Sequence, residues 1–159
     1  MLNLSNYLPL PIVIIIYINS MILATIAMEG VAWFLHRYVM HGFGWYLHKD
    51  HHRPKGHGLQ KNDTFAGIFS ILSFVLIFFG ASEFNLLFWL GIGVALYGIG
   101  YFGFHDVMFH KRIKNKYRPK SSYMKRIFKA HSYHHQTTNE KGPGNAFGFL
   151  YASKKYKVQ

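Results

Sequence analysis

The sequence predicts an all-α protein embedded in a membrane as a helical bundle with about three spans and a polyhistidine metal site at its cytoplasmic side. Three apolar blocks are each long enough to cross a bilayer as a helix. They lie at about residues 9–28, 64–81 and 86–104. The basic residues lie outside these blocks, and ten of the 11 histidines fall in four clusters. At 159 residues, the whole chain is expected to form a single membrane-embedded domain.

The first block follows a segment without any basic residue, MLNLSNYL. A secretory signal peptide has a basic region at this place, so we expect a retained span. The helix is expected to continue past Met28 to His36, which at 1.5 Å per residue lifts the first histidine roughly 12 Å beyond the apolar block. Glu29 then lies near the bilayer boundary. It is a headgroup-level residue, a functional carboxylate or a hydrogen-bond partner of a ligand histidine.

The second and third blocks are joined by a short turn at residues 82–85. Asn62 or Asp63 is expected to cap the second helix. Small residues allow close helix packing in membranes, and the third block and its end carry five glycines: Gly91, Gly93, Gly98, Gly100 and Gly103. The third block runs directly into His105. The two histidine regions, 36–52 and 105–135, are therefore expected at the same membrane face.

The positive charge is distributed as a membrane topology predicts. All 18 lysines and arginines lie between Arg37 and Lys61 or between Lys111 and Lys157. The positive-inside rule places both regions in the cytoplasm and the amino terminus on the far side. A net charge of +12 also suits nucleic acid, but this segregation argues against a nucleic-acid partner and for membrane lipid.

The histidine clusters repeat two spacings, H-x4-H and H-x2-H-H, once in each half of the chain. HRYVMHGFGWYLHKDHH holds the first pair, and HDVMFH and HSYHH hold the second. Neutral imidazole is a good ligand for iron, zinc, copper and nickel, and the chain has no cysteine to supply thiolate. We expect ten metal ligands: His36, His41, His48, His51, His52, His105, His110, His131, His134 and His135. Ten exceed what one ion holds, so two metals are expected, and His57 is expected to be a surface residue.

Helix geometry makes a prediction for each spacing. Residues i, i+3 and i+4 share one helix face, so the three histidines of each H-x2-H-H motif are expected to converge on one place. Five residues turn an α-helix by roughly 140° net, which separates His36 from His41. Either the helix unwinds near Gly42 and Gly44, or the two side chains reach different metals. The second alternative is the preferred one.

The remaining segments are expected to surround this site. Residues 111–121 read as a basic loop or interfacial segment, and SYMKRIFKAHSYHH reads as a short helix carrying the fourth cluster. The glycine-rich tail is expected to be a loop. Four of its apolar side chains are candidates to pack over the site: Phe147, Phe149, Leu150 and Tyr151.

Two other classes of protein fit the pattern less well. A metal transporter needs ionisable ligands at mid-membrane, whereas these histidines lie outside the apolar blocks. A zinc hydrolase would be expected to carry an H-E-x-x-H motif, which the chain lacks.

The motif order in a small membrane protein resembles the fatty acid hydroxylase superfamily of membrane di-iron oxygenases. The likeness is closer to the bacterial β-carotene hydroxylases, through MEGVAWFLHRYVMHGFGWYLHKDHH, QKND, GFHDVMFHKR, KRIFKAHSYHH and NAFGFLYA, over about residues 28–152. The resemblance implies O2-dependent hydroxylation of the β-ionone rings of β-carotene at C-3, giving zeaxanthin by way of cryptoxanthin. It also implies two iron ions held by the ten clustered histidines, in a bacterial inner membrane. A fatty-acid or sterol hydroxylase or desaturase is the nearest alternative.

The reaction class that the resemblance implies places demands on the chain. Breaking an unactivated C–H bond requires a metal centre, and the centre must be re-reduced after each turnover. The sequence has no dinucleotide-binding motif, no P-loop and no cysteine. Electrons are therefore expected from a separate protein, such as an acidic ferredoxin docking on the basic face. The carotenoid is expected to enter from the bilayer. Histidine-only sites also accept zinc, so a purified site can hold zinc in place of iron.

Overall fold

The computed structural model describes residues 3–53, 58–137, 141–142 and 144–156, and within these ranges every regular element is a helix. Five α-helices follow one another along the chain: α1 Leu10–Phe34, α2 Trp45–His52, α3 Asp63–Gly80, α4 Leu86–Tyr101 and α5 Ser122–Thr137. Two π-helical segments extend α1 and α4, at Leu35–Phe43 and Phe102–Phe109. Short 3-10 turns form at Leu4–Asn6 and Lys154–Tyr156.

Three of these helices are long and apolar enough to cross a membrane. The candidate spans are Leu10–Phe43, Asp63–Gly80 and Leu86–Phe109. Few of their side chains are buried within the protein, as expected for helices that face lipid. The prediction of three apolar helices is confirmed. Two of them run further than predicted, because the π-helical segments continue them through the first histidines of each half. The side of the membrane stays a prediction.

The chain forms two compact units. The first unit, which we call the apolar unit, comprises Met1–Met28 and Phe65–Gly100. The second, which we call the histidine unit, comprises Glu29–Thr64 and Tyr101–Gln159 and contains all four histidine clusters. The expectation of a single domain stays a prediction.

Close packing in the apolar unit depends on two glycines of α4. A Cβ atom on Gly93 would collide with Met21, and one on Gly91 would collide with Ile77. A hydroxyl also donates to the carbonyl of each glycine: Thr25 Oγ1 to Gly93 at 3.0 Å and Ser73 Oγ to Gly91 at 2.9 Å. The predicted role in close approach is confirmed for these two glycines. It is wrong for three others, where a Cβ atom would meet no described residue within 4 Å: Gly98, Gly100 and Gly103.

In the histidine unit, the carboxyl-terminal segment packs along α5. Ala130 of α5 forms a small buried cluster with Ala152 and Tyr156, and Ile127 and Ala146 pack against it. Ala146 takes a positive φ of 61°, which bends the chain just before Phe147. The segment 144–156 is thereby held beside the helix that carries the fourth histidine cluster.

Candidate metal centre

The ten predicted ligands lie together in the histidine unit, and nine of them form two groups with closely spaced ring nitrogens. Within each group the ligand atoms all lie within 4.8 Å of one another. The first group is His36, His41, His48, His52 and His134. The second group is His51, His105, His110 and His131. The tenth histidine, His135, lies between them, with its ring 4.4 Å from that of His52 and its Nε2 3.1 Å from Nε2 of His131.

The H-x2-H-H motifs do not converge on one place, and that prediction is wrong. His48 and His52 enter the first group, whereas His51 enters the second. At about 100° per residue, positions 48 and 52 differ by only about 40° around the helix, while 51 and 52 diverge by about 100°. One turn of α2 therefore serves both groups. In α5 the same geometry directs His131 to the second group and His134 to the first.

The H-x4-H pairs do not reach different groups either, and the preferred alternative for them is wrong. His36 and His41 both belong to the first group, and His105 and His110 both belong to the second. The cause is the π-helical backbone, which closes hydrogen bonds between residues five apart and so brings such residues back toward one side. The His110 N–H donates to the His105 carbonyl at 2.9 Å in this pattern.

The predicted break near the glycines of the first half is also present. Gly42 has non-helical backbone angles, with φ −100° and ψ −127°. Gly44 donates its N–H to the Val39 carbonyl at 2.7 Å, and a Cβ atom on Gly44 would lie 2.8 Å from that same oxygen. The break follows His41, so it redirects the chain into α2 without separating His41 from His36.

The two groups are related by an exchange between the halves of the chain. The first group takes four histidines from the first half and His134 from the second. The second group takes three histidines from the second half and His51 from the first. His135 occupies the place in α5 that His52 occupies in α2. The repeated sequence pattern thus gives a repeated arrangement in which each half completes the other's site.

Hydrogen bonds at Nδ1 fix the rings of five histidines. Three donate to side-chain oxygens: His48 to Asn62 at 2.7 Å, His51 to Gln60 at 3.3 Å and His105 to Asp106 at 2.8 Å. Two donate to backbone carbonyls: His36 to Phe147 at 3.0 Å and His134 to Asn145 at 2.8 Å. A carbonyl oxygen only accepts, so these rings carry their proton on Nδ1 and keep a lone pair on Nε2. Such outer partners orient metal-ligating histidines.

Several Nε2 atoms lie at the spacing expected of ligands that share one ion. Nε2 of His36 and of His51 is buried without a hydrogen-bond partner among the described residues. Between His41 and His134 the two Nε2 atoms are 3.2 Å apart, although His134 has its proton on Nδ1. Imidazole nitrogens about 2.1 Å from one ion lie roughly 3.0–3.4 Å from each other, which matches this spacing. The residues present therefore fit two bound metal ions.

A family comparison supports the interpretation of this histidine arrangement. The family model for fatty acid hydroxylase matches residues 21–152, which include all ten clustered histidines.

The chain belongs to the fatty acid hydroxylase family.

Similar proteins within this hydroxylase family are named as β-carotene hydroxylases. The chain is 41% identical to the Beta-carotene hydroxylase of Pseudescherichia vulneris over 144 residues, which cover 89% of this chain and 81% of the relative. It is 39% identical to that of Pantoea ananas, over 84% of this chain and 76% of the relative. A chloroplastic relative from Capsicum annuum is 32% identical, over 83% of this chain but 42% of the relative. No solved structure matches the chain.

Burial keeps the candidate ligand histidines neutral. Desolvation lowers the pKa of His48 to about 3, and it lowers the pKa of His110 and His134 to about 4. Neighbouring histidines lower the same pKa values further, because a second positive charge at this distance is unfavourable. The lone pairs that a metal ion requires are therefore available at neutral pH.

An ion-pair network supports the second group, and the sequence did not predict it. Asp106 accepts from His105, and its other carboxylate oxygen lies 3.4 Å from Arg112. Arg112 makes a bidentate pair with Asp63, with both N···O distances at 2.7 Å. The network ties the start of α3 to the ligand-bearing π segment. The only signal in the sequence is that Asp106 directly follows a clustered histidine.

Asn62 and Gln60 were also missed as supports for ligand histidines. Asn62 was expected as a helix cap, but its Oδ1 accepts from His48. The Asp63 carboxylate accepts the Gln60 N–H at 2.9 Å, which holds Gln60 close to His51. The short polar stretch QKND thus serves the metal centre as well as the start of α3.

Glu29 binds the backbone of the carboxyl-terminal segment. Its Oε1 accepts three N–H groups, from Phe149 and Leu150 at 2.7 Å and from Tyr151 at 3.1 Å. Gly148 allows this approach, because a Cβ atom there would lie 3.3 Å from Glu29 Oε1 and 2.7 Å from the Tyr151 carbonyl oxygen. Glu29 therefore anchors the segment whose carbonyls orient His36 and His134.

Aromatic residues of the tail pack over the centre, as predicted for Phe147 and Phe149. The Phe147 ring contacts His36, His41 and His134 at centroid distances of 5.2–5.4 Å. The Phe149 ring lies 5.8 Å from that of His105. His57, expected to be a surface residue, lies outside the described residues.

Proposed function

We propose that the chain is a β-carotene 3-hydroxylase, which uses O2 to convert β-carotene into zeaxanthin by way of β-cryptoxanthin. The observation that carries the proposal is the pair of histidine groups within a chain that is about 40% identical to proteins named β-carotene hydroxylases. The reaction replaces one C–H bond at C-3 of each ring by C–OH. One oxygen atom of O2 enters the product and the other leaves as water, with two electrons and two protons supplied per hydroxylation.

The ten clustered histidines would hold two iron ions, with one ion at each group and His135 between the two groups. When bound, the iron pair supplies the O2-activating redox chemistry that no amino acid side chain provides. The histidines are neutral, and five of them are fixed at Nδ1 by oxygen acceptors, so they present lone pairs in a set orientation. The packing of Phe147 against the first group keeps bulk water from its ligands.

We propose that the chain is a single hydroxylase domain in a bacterial inner membrane, with its metal centre facing the cytoplasm. The distribution of charge supports this orientation, because the candidate spans contain few charged residues while the segments that follow the first and the third span are strongly basic. The apolar substrate dissolves in the bilayer, and it would reach the centre without crossing bulk water.

The electron donor in this proposal is an acidic redox protein such as a ferredoxin. Nine lysines and arginines and no acidic residue lie between Lys111 and Lys129, next to the second histidine group in sequence. Opposite charge steers association and makes its rate depend on salt. With a purified acidic ferredoxin as donor, we expect the hydroxylation rate to fall as ionic strength rises. A rate independent of salt would contradict this docking mode.

The activity is tested by expressing the chain in cells that accumulate β-carotene and by extracting the pigments. Zeaxanthin and β-cryptoxanthin are expected in air and not under anaerobic growth. Unchanged β-carotene, in cells that supply iron and a ferredoxin system and contain intact metal-loaded chain, would contradict the substrate assignment. Hydroxylated or desaturated fatty acids or sterols in the same extracts would then identify the alternative member of the family.

The ligand assignment is tested with histidine variants. Replacing His36 or His110 by Ala is expected to remove most of the activity and to lower the metal content below two ions per chain. His57→Ala is the matched control, and it is expected to leave both unchanged. About one metal ion per chain in active wild-type protein would contradict the two-metal centre.

A further inference from the structure

We propose that a cavity beside the second histidine group binds the cyclic end group of the carotene. This inference rests on the proposed function, because it names the place where that substrate's ring sits. The cavity lies within the histidine unit and has a volume of about 150 Å³. A cavity of this size lined by apolar side chains holds a six-membered carbon ring. The β-ionone end group is a ring of this size carrying methyl groups.

The lining of the cavity is almost wholly apolar. Its side chains come from three segments: the second π segment, helix α5 and the carboxyl-terminal segment. Its apolar lining residues include Phe104, Phe109, Met124, Phe128, Phe149 and Leu150. A hydrocarbon ring gains free energy by leaving water for such a surface, whereas a polar ligand would lose its hydrogen bonds.

Polar atoms in the cavity wall are satisfied within the protein. Tyr123 lines the cavity, and its hydroxyl donates to the Leu150 carbonyl at 2.6 Å. The Leu150 N–H donates to Glu29 at 2.7 Å. Both backbone groups of Leu150 are therefore occupied, and its side chain is what this residue offers to a ligand. A wall built in this way suits a ligand without donors or acceptors.

The cavity also reaches the metal ligands, and it does so at one group only. Two of its lining residues are His105 and His131, which both belong to the second group. No member of the first group lines it within the described part of the chain. Phe109 lies edge-on against His131 at a centroid distance of 4.1 Å, so this wall of the cavity also holds the imidazole ring of His131 in place. A ring bound here is presented to the second group, which assigns the reacting C–H bond to that side of the centre.

The proposal is tested by narrowing the cavity from two sides. Met124→Trp fills it from α5, and Leu150→Trp fills it from the carboxyl-terminal segment. Leu150 bonds to Glu29 and Tyr123 through its backbone atoms, so the substitution keeps these hydrogen bonds. Ile71→Trp is the matched control, because Ile71 is 66% exposed and does not line the cavity. The purified, metal-loaded full chains are incubated in detergent with β-carotene, without an electron donor, so that binding is measured without turnover. Retained pigment is extracted and quantified, and metal content and product formation in cells are measured in parallel.

We expect both cavity variants to retain at least tenfold less β-carotene than wild type, with matching losses of product and with two metal ions per chain. The control variant should match wild type in all three measurements. Normal retention and turnover in both cavity variants would overturn the proposal, as would loss of metal from both. Equal retention of an open-chain carotene by wild type would overturn the assignment to a ring. Wild-type protein that retains β-carotene but never hydroxylates it would instead refute the proposed function and leave the binding site standing.

Discussion

Glu29 is the residue whose removal tests most simply how the tail is held over the metal centre. Glu29→Ala takes away the acceptor of three backbone N–H groups, at 2.7, 2.7 and 3.1 Å. Phe149 is 9% exposed, so its N–H would be left buried without this acceptor, which costs about 1–3 kcal/mol. Leu150 and Tyr151 are 36% and 72% exposed, and water can replace the carboxylate there, so each loses about 0.5–1.5 kcal/mol. The docked segment is destabilised by about 2–6 kcal/mol in all.

The expected result is faster opening of the carboxyl-terminal segment. At 1.4 kcal/mol per factor of ten, the amides of residues 149–151 should exchange with deuterium at least roughly 30-fold faster in Glu29→Ala. The assay is hydrogen exchange with mass spectrometry on the metal-loaded chain in detergent. Metal affinity should fall as well, because the Phe147 and Asn145 carbonyls orient His36 and His134.

Two further variants make the test specific. Glu29→Gln keeps a neutral oxygen at the same place, so its exchange rates should lie between those of wild type and Glu29→Ala. Glu83→Ala removes a carboxylate from an exposed turn and should leave exchange at residues 149–151 unchanged. Wild-type exchange rates in Glu29→Ala would refute the anchoring role.

Three other perturbations have expected outcomes. Asn62→Leu removes the acceptor of His48 Nδ1 and should lower metal affinity about 10–100-fold, while Asn62→Asp keeps an acceptor and most of the affinity; equal losses in both would count against the hydrogen bond. In metal-depleted protein, the folded pKa values of His48 and His134 lie at about 3 and 4, below the unfolded value of 6.5. The unfolded chain therefore binds more protons, and stability should fall as pH drops below about 6.5, by about 1.4 kcal/mol per pH unit for each fully titrating histidine; a flat thermal-unfolding profile from pH 7 to 5 would contradict this. A tag at Lys157 should be cytoplasmic and one at Asn3 should not; both tags on one side would exclude a three-span topology.

Much of the fold was predictable because lipid imposes a simple rule on sequence. A helix that crosses a bilayer must be apolar along its whole length, so its limits are visible in composition alone. The second predicted block, 64–81, differs from α3 Asp63–Gly80 by one residue at each end. Glycine roles were less predictable, since Gly93 meets a neighbouring helix and Gly98 does not. That difference depends on which face of α4 is covered, and a helix that is apolar all round gives no sign of it.

That the clustered histidines lie together was predictable, but their partition between two groups was not. The repeated spacings indicate ten ligands and more than one metal. The partition depends on backbone geometry that spacing does not reveal. His36 and His41 share a group because residues 35–43 are π-helical, whereas the prediction assumed an α-helix. His51 does not join the group of His48, because the three histidine side chains of α2 point in different directions around the helix. Side chains that diverge in this way can reach a metal group on each side of the helix.

The supports of the centre were the least predictable part. The Phe147 carbonyl is 111 residues from His36 in sequence, and Arg112 is 49 residues from Asp63. Asn62 and the Asn145 carbonyl are 14 and 11 residues from the histidines that they orient. Glu29 and Phe149 are 120 residues apart in sequence. A single sequence carries no period or motif for such contacts.

The most direct test of the central claim is the source of oxygen in the product. Cells that accumulate β-carotene and express the chain are grown under ¹⁸O2, and the hydroxylated pigments are analysed by mass spectrometry. One ¹⁸O atom is expected in each new hydroxyl group, so zeaxanthin should carry two and β-cryptoxanthin one, and His110→Ala should abolish both products. Hydroxyl groups that carry the oxygen isotope of water, or unchanged pigment production in His110→Ala, would contradict an O2-dependent hydroxylase built on these histidines.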